Sequence, residues 1–222
     1  MAQGKRQGKE QDMDQDMELG MGQDMGQDTD GAAVGASPRD RLLDAADELF
    51  YRDGIARTSV DQVLRRAHVA PGTLYAHFGG KDGLIVAALQ RRLDRWDRVW
   101  QGAVDAEASP ADKLLAVFGA VSAYRVRYIP GRGCAFLATS TELPDPGHPA
   151  HAVIAAESAL LLTRLTRLAE AVTADDSAAL ARDVLLVYDG AMAGLLRGLT
   201  PNPLEHGRTF ASRLVRATVG TG

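Results

Sequence analysis

After residue 37, apolar residues recur every three or four positions along most of the chain, which is the period of amphipathic helices. No stretch shows the alternation of apolar and polar residues that is typical of a half-buried strand. The pattern predicts two short helices within residues 58–84, after a first helix that begins near 37 and ends at Gly54. Six further helices are predicted at about 81–106, 110–129, 134–143, 150–172, 176–198 and 203–219. We therefore expect an all-α fold of about nine helices.

Residues 58–84 read TSVDQVLRRAHVAPGTLYAHFGGKDGL and predict a helix-turn-helix. Four apolar residues stand at positions i, i+3, i+4 and i+7 of the first helix: Val60, Val63, Leu64 and Ala67. A break of three residues, 68–70, then leads to Pro71, which suits a first helical position because it lacks an N–H. Leu74 and Phe78 turn one face of the second helix inward, so Thr73, Tyr75 and His77 remain on its other faces. A short braced helix of this kind fits the major groove of DNA.

The first helix completes a predicted three-helix unit. Ser37, Pro38 and Asp40 form a strong helix start, with a capping serine, proline at the first position and an acidic first turn. Gly54 ends the helix in the usual way. At the next helix, either Thr58 or Ser59 is predicted to be the cap.

These residues resemble the N-terminal domain of the TetR family of transcriptional regulators. The run GTLYAHF, followed by a lysine three residues later, is the most specific part of a resemblance that extends from Arg39 to Leu84. The resemblance implies that four side chains contact DNA phosphates: Thr58, Tyr75, His77 and Lys81. It implies that three residues approach base edges: Pro71, Gly72 and Thr73. Two alternatives stay open, since His77 can instead form a hydrogen bond within the unit and Tyr75 can be partly structural.

The sequence departs from the family pattern at four positions. His68 stands where glycine is usual and where the turn often needs a positive φ, and Ala70 replaces the usual serine cap. Leu64 replaces a smaller alanine, and Gly80 replaces a better cap before Lys81. None of these changes removes an expected DNA contact, but they predict a less rigid unit.

The resemblance also implies how the remaining chain is organised. We expect a disordered acidic tail at 1–36, a DNA-binding domain at 37–83, and a domain for ligand binding and dimerisation at 84–222. A small-molecule effector would enter among the middle helices and shift the long fourth helix. The candidate lining residues are Trp96, Trp100, Phe118, Tyr124, Tyr128, Phe136, Tyr188 and Met192, with the two tryptophans as the best candidates. Because few buried charges are evident, we expect a largely apolar effector.

The resemblance implies that the last two long helices pair with their copies in a homodimer. The candidate interface residues are Val184, Tyr188, Ala191, Leu195, Phe210 and Leu214. Burial of the same stripe within one chain is the alternative. A two-fold dimer would read the two half-sites of a palindromic operator in double-stranded DNA.

Composition fits a cytoplasmic regulator. The formal charge of −4 is concentrated in residues 1–36, where three basic and eight acidic residues give −5, which leaves +1 for the rest. The tail repeats QDM and has too few apolar residues to fold. No apolar run is long enough for a membrane span, and no signal peptide is evident. The single cysteine cannot form an internal disulfide.

Two other functions compete with this interpretation. Cys134 with His148 or His151 would suggest a nucleophile and its base, but a lone cysteine between apolar neighbours is typical of a core, so we expect no enzyme. The two histidines are three apart without an evident third ligand, so no metal and no cofactor are expected. A helical ligand-binding protein without DNA binding is the other alternative. The sequence favours a DNA-binding transcriptional regulator, a repressor that a small-molecule ligand releases from its operator.

Overall fold

The computed structural model describes residues 35–128, 134–198 and 200–220, and the fold in these residues is entirely α-helical. The helices are α1 (Pro38–Asp53), α2 (Val60–Ala67), α3 (Pro71–Phe78), α4 (Lys81–Asp105), α5 (Pro110–Tyr128), α6 (Ala135–Glu142), α7 (Ala150–Glu170), α8 (Ser177–Arg197) and α9 (Pro203–Gly220). The predicted all-α class is confirmed. Residues 1–34 of the predicted acidic tail lie outside the described residues.

The ends of α1 follow the chemistry of its sequence. Ser37 is the N-cap, and its hydroxyl accepts a hydrogen bond from the Asp40 backbone N–H at 3.1 Å. At the other end, Gly54 has φ 91° and donates its N–H to the Phe50 carbonyl. Each contact satisfies a backbone group that a helix end would otherwise leave unpaired.

The residues at the ends of α2 and α3 decide which of Thr58 and Ser59 is the cap and show how His68 and Ala70 are accommodated. Ser59, and not Thr58, caps α2, in a capping box with Gln62. His68 adopts the left-handed conformation at φ 52°, as predicted for a position where glycine is usual. Ala70 makes no side-chain cap for α3, which therefore lacks a stabilisation of about 1 kcal/mol.

Two hydrophobic clusters meet along α4. The smaller cluster joins α1, α2 and α3 through residues such as Leu42, Val63 and Leu74, and it receives Leu84 and Ala88 from the start of α4. The larger cluster contains the rest of α4 and the helices that follow. Within the described ranges, none of the helices combines the length and the apolar character that crossing a membrane requires.

The junction between α3 and α4 depends on a glycine that the sequence did not single out. A Cβ built on Gly83 would lie 1.9 Å from the Phe78 carbonyl oxygen, which belongs to the backbone and cannot turn away. Near Gly102, in the same helix, a Cβ would meet nothing within 4 Å. The first turn of α4 therefore packs directly against the end of α3.

Gly83→Ala is expected to lower the free energy of unfolding by about 1–3 kcal/mol, because the added methyl group forces α3 and α4 apart. Gly102→Ala is the matched control and is expected to raise it by up to about 1 kcal/mol, since alanine is the better helix former. Urea unfolding of both variants measures the difference. Equal effects of the same sign would contradict the close approach at Gly83.

Candidate nucleic-acid interface and effector cavity

Helix α3 presents most of its surface to solvent. Leu74 is its buried anchor, whereas Pro71, Gly72, Tyr75 and His77 are exposed. Thr73 is half-buried, so its side chain still reaches the surface. The fold thus brings together five of the seven residues proposed for DNA contact on one short helix, held on its inner side by Leu74.

Thr58 lies elsewhere, and its predicted contact with phosphate was wrong for its side chain. The residue is 1% exposed. Its hydroxyl donates to the Gly54 carbonyl at 2.7 Å and lies 3.3 Å from the Leu49 carbonyl. The two neighbouring hydroxyls therefore have different roles. Thr58 binds the carbonyl of Gly54 at the end of α1, and Ser59 caps α2.

Lys81 is half-buried, and its ammonium is already engaged. The Nζ atom donates to the Ile55 carbonyl at 2.7 Å. The N–H of Ile55 donates in turn to Glu142 Oε2 at 2.6 Å, and Ala56 N–H lies 3.2 Å from the same oxygen. Ile55 is therefore held between the end of α6 and the base of α4, a connection that no sequence signal indicated.

The basic surface is smaller than the local charge of the sequence suggests. Arg66 pairs with Glu48 of α1 at 2.7 Å. Arg57 and Arg65 are exposed, and neither makes an ion pair with another described residue. Arg39 is also exposed, and its guanidinium lies 5.6 Å from the ring of Phe78 on α3. These three arginines and the remaining N–H groups of Lys81 are cations that phosphates near α3 can reach.

Three neighbouring cavities adjoin α6, and Cys134, the N-cap of that helix, lines all of them. The α1–α6 cavity, of about 290 Å³, is lined by residues of α1, α4, α6 and α8, including Tyr51, Arg92 and Glu142. The tryptophan cavity, of about 50 Å³, is lined by Arg92, Trp96, Val121, Tyr124, Arg125, Cys134, Ala135, Phe136, Glu157, Tyr188 and Met192. The α7–α8 cavity, of about 360 Å³, shares five of those residues, from Cys134 to Met192.

Five of the eight residues predicted to line an effector pocket lie on the tryptophan cavity: Trp96, Tyr124, Phe136, Tyr188 and Met192. The other three do not line the described cavities. Trp100 is fully buried, with its ring stacked on Trp96 and covered by the Arg164 guanidinium at 4.7 Å. The ring of Phe118 packs closely against Gly207, where an added Cβ would lie 2.9 Å from it. The ring of Tyr128 contacts that of Tyr124. Helical spacing identified aromatic core residues but could not separate cavity wall from solid core.

The expectation of few buried charges was wrong. Arg92 and Glu157 are each more than nine-tenths buried, and both line the tryptophan cavity. The sequence carried a signal for both. Arg92 interrupts the apolar stripe of α4 between Leu89 and Trp96, and Glu157 stands four residues after Val153, at a stripe position of α7.

Arg92 also belongs to a cluster of charges that joins α1 to α4. Its Nη2 lies 3.1 Å from Asp47 Oδ1, and Asp47 further contacts Arg91 at 3.0 Å and Arg95 at 2.8 Å. Asp44 contacts Arg91 at 2.8 Å from a more exposed position. We call these five residues the α1–α4 charge cluster. It ties the first helix of the three-helix unit to the wall of the tryptophan cavity.

Burial, and secondarily the nearby carboxylate of Asp189, raise the pKa of Glu157 from 4.5 to about 7. The folded chain therefore retains a proton that the unfolded chain releases between about pH 4.5 and 7. This carboxyl therefore favours the folded state at low pH, and its contribution to the free energy of unfolding is lost as the pH rises through this window.

Glu157→Gln is expected to raise the free energy of unfolding by about 2 kcal/mol at pH 8 and to leave it nearly unchanged at pH 5, because glutamine needs no proton to stay neutral. Thermal unfolding of both proteins from pH 5 to 8 measures the difference between the two curves. Parallel curves across this range would show that the carboxyl is ionised in the folded chain.

The surroundings of Cys134 disfavour the nucleophile that the enzyme alternative requires, and both histidines contact backbone groups. Burial, and secondarily Glu157, raise the pKa of the Cys134 thiol to about 11, which disfavours the nucleophilic thiolate. His148 Nδ1 accepts from the Ala150 N–H at 3.1 Å, and His151 Nε2 lies 3.0 Å from the Asp145 carbonyl. Across the described ranges, no three residues of the metal-binding types His, Cys, Asp and Glu come together.

The predicted dimer stripe of α8 is partly wrong. Val184, Tyr188 and Ala191 are buried within their own chain, where Tyr188 contacts Phe118 of α5. A stripe of apolar residues shows that a face is covered but not by which chain. Leu195 and Leu214 are half-buried, and Phe210 is 51% exposed. Sequence reasoning missed Leu186, which is 72% exposed on the outer face of α8.

Comparison with known proteins identifies similar chains over most of this length. The family described as "Bacterial regulatory proteins, tetR family" matches residues 42–88. The HTH-type transcriptional regulator YjdC of Escherichia coli K12 is 27% identical over 183 residues, which cover 80% of this chain and 93% of that protein.

Solved structures give the same result. A TetR-family transcriptional regulator from Streptomyces coelicolor is 33% identical, with a TM-score of 0.72 and coverage of 80% of this chain and 89% of its own. A TetR-type regulator from Streptomyces avermitilis is 32% identical, with a TM-score of 0.71 and coverage of 83% and 99%. The similarity therefore extends well beyond the helix-turn-helix.

Proposed function

Because this chain belongs to the TetR family of helix-turn-helix transcriptional regulators, we propose that it is a homodimeric repressor, released from a palindromic operator by a small-molecule effector. The observation that carries the proposal is the exposed surface of α3, braced from behind by Leu74. The proposed domains are residues 37–83 for DNA binding and 84–222 for effector binding and dimerisation. The two hydrophobic clusters that meet on α4 support this division.

The proposed DNA contacts follow the exposed positions of α3. Pro71, Gly72 and Thr73 at its N-terminal end approach base edges, where the absence of a Cβ on Gly72 allows close approach. Tyr75 and His77 contact phosphates, since both side chains are exposed. Lys81 contacts phosphate with the N–H groups that Ile55 leaves free. Contacts to phosphate give affinity without sequence preference, whereas contacts to base edges select the operator.

The proposed route from effector to DNA runs through contacts that join the cavities to the three-helix unit. The α1–α4 charge cluster holds α1 against α4, and Glu142 holds the loop at Ile55. An effector in the cavities shifts the equilibrium only if it binds the DNA-free conformation more tightly than the DNA-bound one. Movement of α4 or α6 against these contacts changes the orientation of α3.

The proposed dimer surface is the solvent-exposed side of α8 and α9. These helices lie antiparallel, since Gly194 approaches Pro203 and Ala191 approaches Gly207. Leu186 on α8 and Phe210 on α9 are large apolar side chains that their own chain leaves exposed. With Leu195 and Leu214 at its margins, this surface replaces the predicted stripe through Val184, Tyr188 and Ala191.

Repeated selection from a pool of random DNA duplexes tests the proposal and identifies the operator sequence in the same experiment. We expect enrichment of one inverted repeat whose half-sites lie about one helical turn apart. Failure to enrich any sequence would favour a ligand-binding protein that does not read DNA.

Against the selected duplex, Tyr75→Ala is expected to lower affinity by about tenfold or more, because an exposed side chain on α3 is lost.

Lys81→Ala is expected to weaken binding to all sequences and to reduce the slope of log K against log salt by about one. Lys113→Ala on α5 is the matched control and is expected to change neither quantity. An unchanged slope in the Lys81 variant would show that its ammonium serves Ile55 alone.

A further inference from the structure

Arg92 has an unsatisfied donor beside the tryptophan cavity. The side chain is 7% exposed, and Nη2 contacts Asp47. The other terminal nitrogen, Nη1, is buried and has no hydrogen-bond partner in the part of the chain that the structure describes. A buried donor of a charged group without an acceptor is costly, so an acceptor supplied from outside the chain is favoured.

Trp96 adds a second unsatisfied donor one helical turn further along α4. Its indole Nε1 is buried and likewise has no partner among the described residues. Trp96 and Arg92 are four residues apart, so they lie on the same face of the helix, and both line the tryptophan cavity. Two donors on one face can bind the two oxygens of a single acceptor group.

The charge balance favours an anion. The α1–α4 charge cluster contains three arginines and two aspartates, which leaves one positive charge. Glu157 lines the same cavity, but no ion pair joins it to Arg92 in the part of the chain that the structure describes, and burial raises its pKa. A neutral acceptor would satisfy the donors and leave the charge, whereas a carboxylate satisfies both.

The space for the rest of the molecule is largely apolar. The tryptophan cavity, of about 50 Å³, has room for only a small group, but the α7–α8 cavity offers about 360 Å³. Both are lined by Phe136, Tyr188 and Met192. Aromatic and thioether walls suit a planar hydrocarbon body.

We propose that the effector is an aromatic carboxylic acid, whose carboxylate accepts hydrogen bonds from Arg92 Nη1 and Trp96 Nε1 and whose ring occupies the α7–α8 cavity. The inference rests on the proposed function, for which it specifies the effector. It also assigns a regulatory role to Arg92, because the same guanidinium holds Asp47 of α1. A carboxylate bound through Nη1 shares this guanidinium with Asp47, which contacts Nη2, so effector binding and the contact of α1 with α4 depend on one side chain.

Binding of benzoate and naphthoate, each compared with its primary amide, tests the proposal on the full chain. The amide matches the acid in shape but lacks its charge. Isothermal titration gives the affinities, and quenching of tryptophan fluorescence reports proximity to the paired tryptophans. We expect at least one acid to bind roughly tenfold or more tightly than its amide, in keeping with the strength of charge-assisted hydrogen bonds.

The variants locate the carboxylate. Arg92→Met is expected to abolish the preference for the acid, whereas Arg91→Met, which removes a neighbouring arginine that does not line the cavity, is expected to retain it. If Arg92→Met does not fold, Trp96→Phe keeps the ring, removes the N–H, and is expected to lower the affinity for the acid by roughly fivefold with little change for the amide.

Equal affinity of acids and amides, or binding of neither, overturns the assignment of the effector class. A preference for the acid that persists in the Arg92→Met and Trp96→Phe variants overturns the assignment of the residues. These results leave the regulator itself in place, because selection of duplex DNA tests that function independently. A failed selection with intact acid binding would instead overturn the proposed function alone.

Discussion

Asp47→Ala is expected to lower the free energy of unfolding by about 4 kcal/mol, because three arginines then lose the carboxylate that they share. Its side chain is 15% exposed and contacts Arg91, Arg92 and Arg95 within 3.1 Å. Removal of the buried carboxylate leaves only the more exposed Asp44 beside Arg91 and Arg95 and no carboxylate beside Arg92, so the cost exceeds the worth of the pairs themselves. Urea unfolding of the variant and the wild type measures the loss.

Asp44→Ala provides the matched control on the same helix. Asp44 contacts two of the same arginines, at 2.8 and 3.9 Å, but its side chain is 63% exposed. Water already solvates this carboxylate, so its loss is expected to cost less than about 1 kcal/mol. Similar losses of unfolding free energy in the two variants would show that the burial of Asp47 does not increase its contribution to stability. The net charge of the cluster alone would then determine the loss.

The Asp47 variant also tests communication between the proposed domains. If the cluster transmits the effector signal, a folded Asp47→Ala protein is expected to respond less to the effector when it is bound to DNA. The residues of α3 that are proposed to contact DNA are unchanged in this variant, because no residue of the cluster lies on that helix. Affinity for the operator, measured with and without the effector, separates this effect from loss of stability.

The boundaries of the helices could be predicted from the sequence because each depends on local chemistry. Ser37 and Gly54 delimit α1, and Pro71 begins α3, all as predicted. The exposed surface of α3 was also predictable, since the position of Leu74 decides which side faces inward. Such features depend on residues within a few positions of one another, and the sequence displays them directly.

Contacts between distant parts of the chain could not be predicted in the same way. Glu142 binds the N–H of Ile55 across 87 residues, and nothing in either segment indicates the other. Gly83 looks like an ordinary flexible residue until the Phe78 carbonyl is found beside it. By contrast, Arg92 and Glu157 stand out in the sequence as charged residues within apolar stripes. The prediction of an apolar effector did not take them into account.

The two faces of α8 show the limit of periodicity most clearly. The stripe through Val184, Tyr188 and Ala191 was visible, but it is buried within its own chain. Leu186, on the opposite side, belongs to no stripe of large apolar residues, because Gly190 and Ala193 follow it at helical spacing. Small residues let two helices approach closely, so the face of α8 that carries Leu186 is the better candidate for contact with a second copy.

A double variant, Leu186→Glu with Phe210→Glu, is therefore expected to be a folded monomer that binds the operator about a hundredfold more weakly or worse. Each monomer then binds one half-site without the high effective concentration that a joined partner provides, a loss on the order of 10²–10⁴. Both side chains are exposed in the single chain, at 72% and 51%, so the substitutions should leave the fold of the protomer intact. Analytical ultracentrifugation gives the oligomeric state, and titration of the selected duplex gives the affinity.

Val126→Glu is the control for adding charge at an exposed apolar residue. Val126 is 85% exposed on α5, a helix that is not part of the proposed surface, so this variant is expected to stay dimeric and to bind the operator normally. Titration of a duplex that carries one half-site adds a second test, because the double variant should bind it as well as the wild type does. A double variant that remains dimeric would place the interface on another face of the chain. A monomeric variant that kept full operator affinity would instead show that recognition of the palindrome does not need the pairing of two copies.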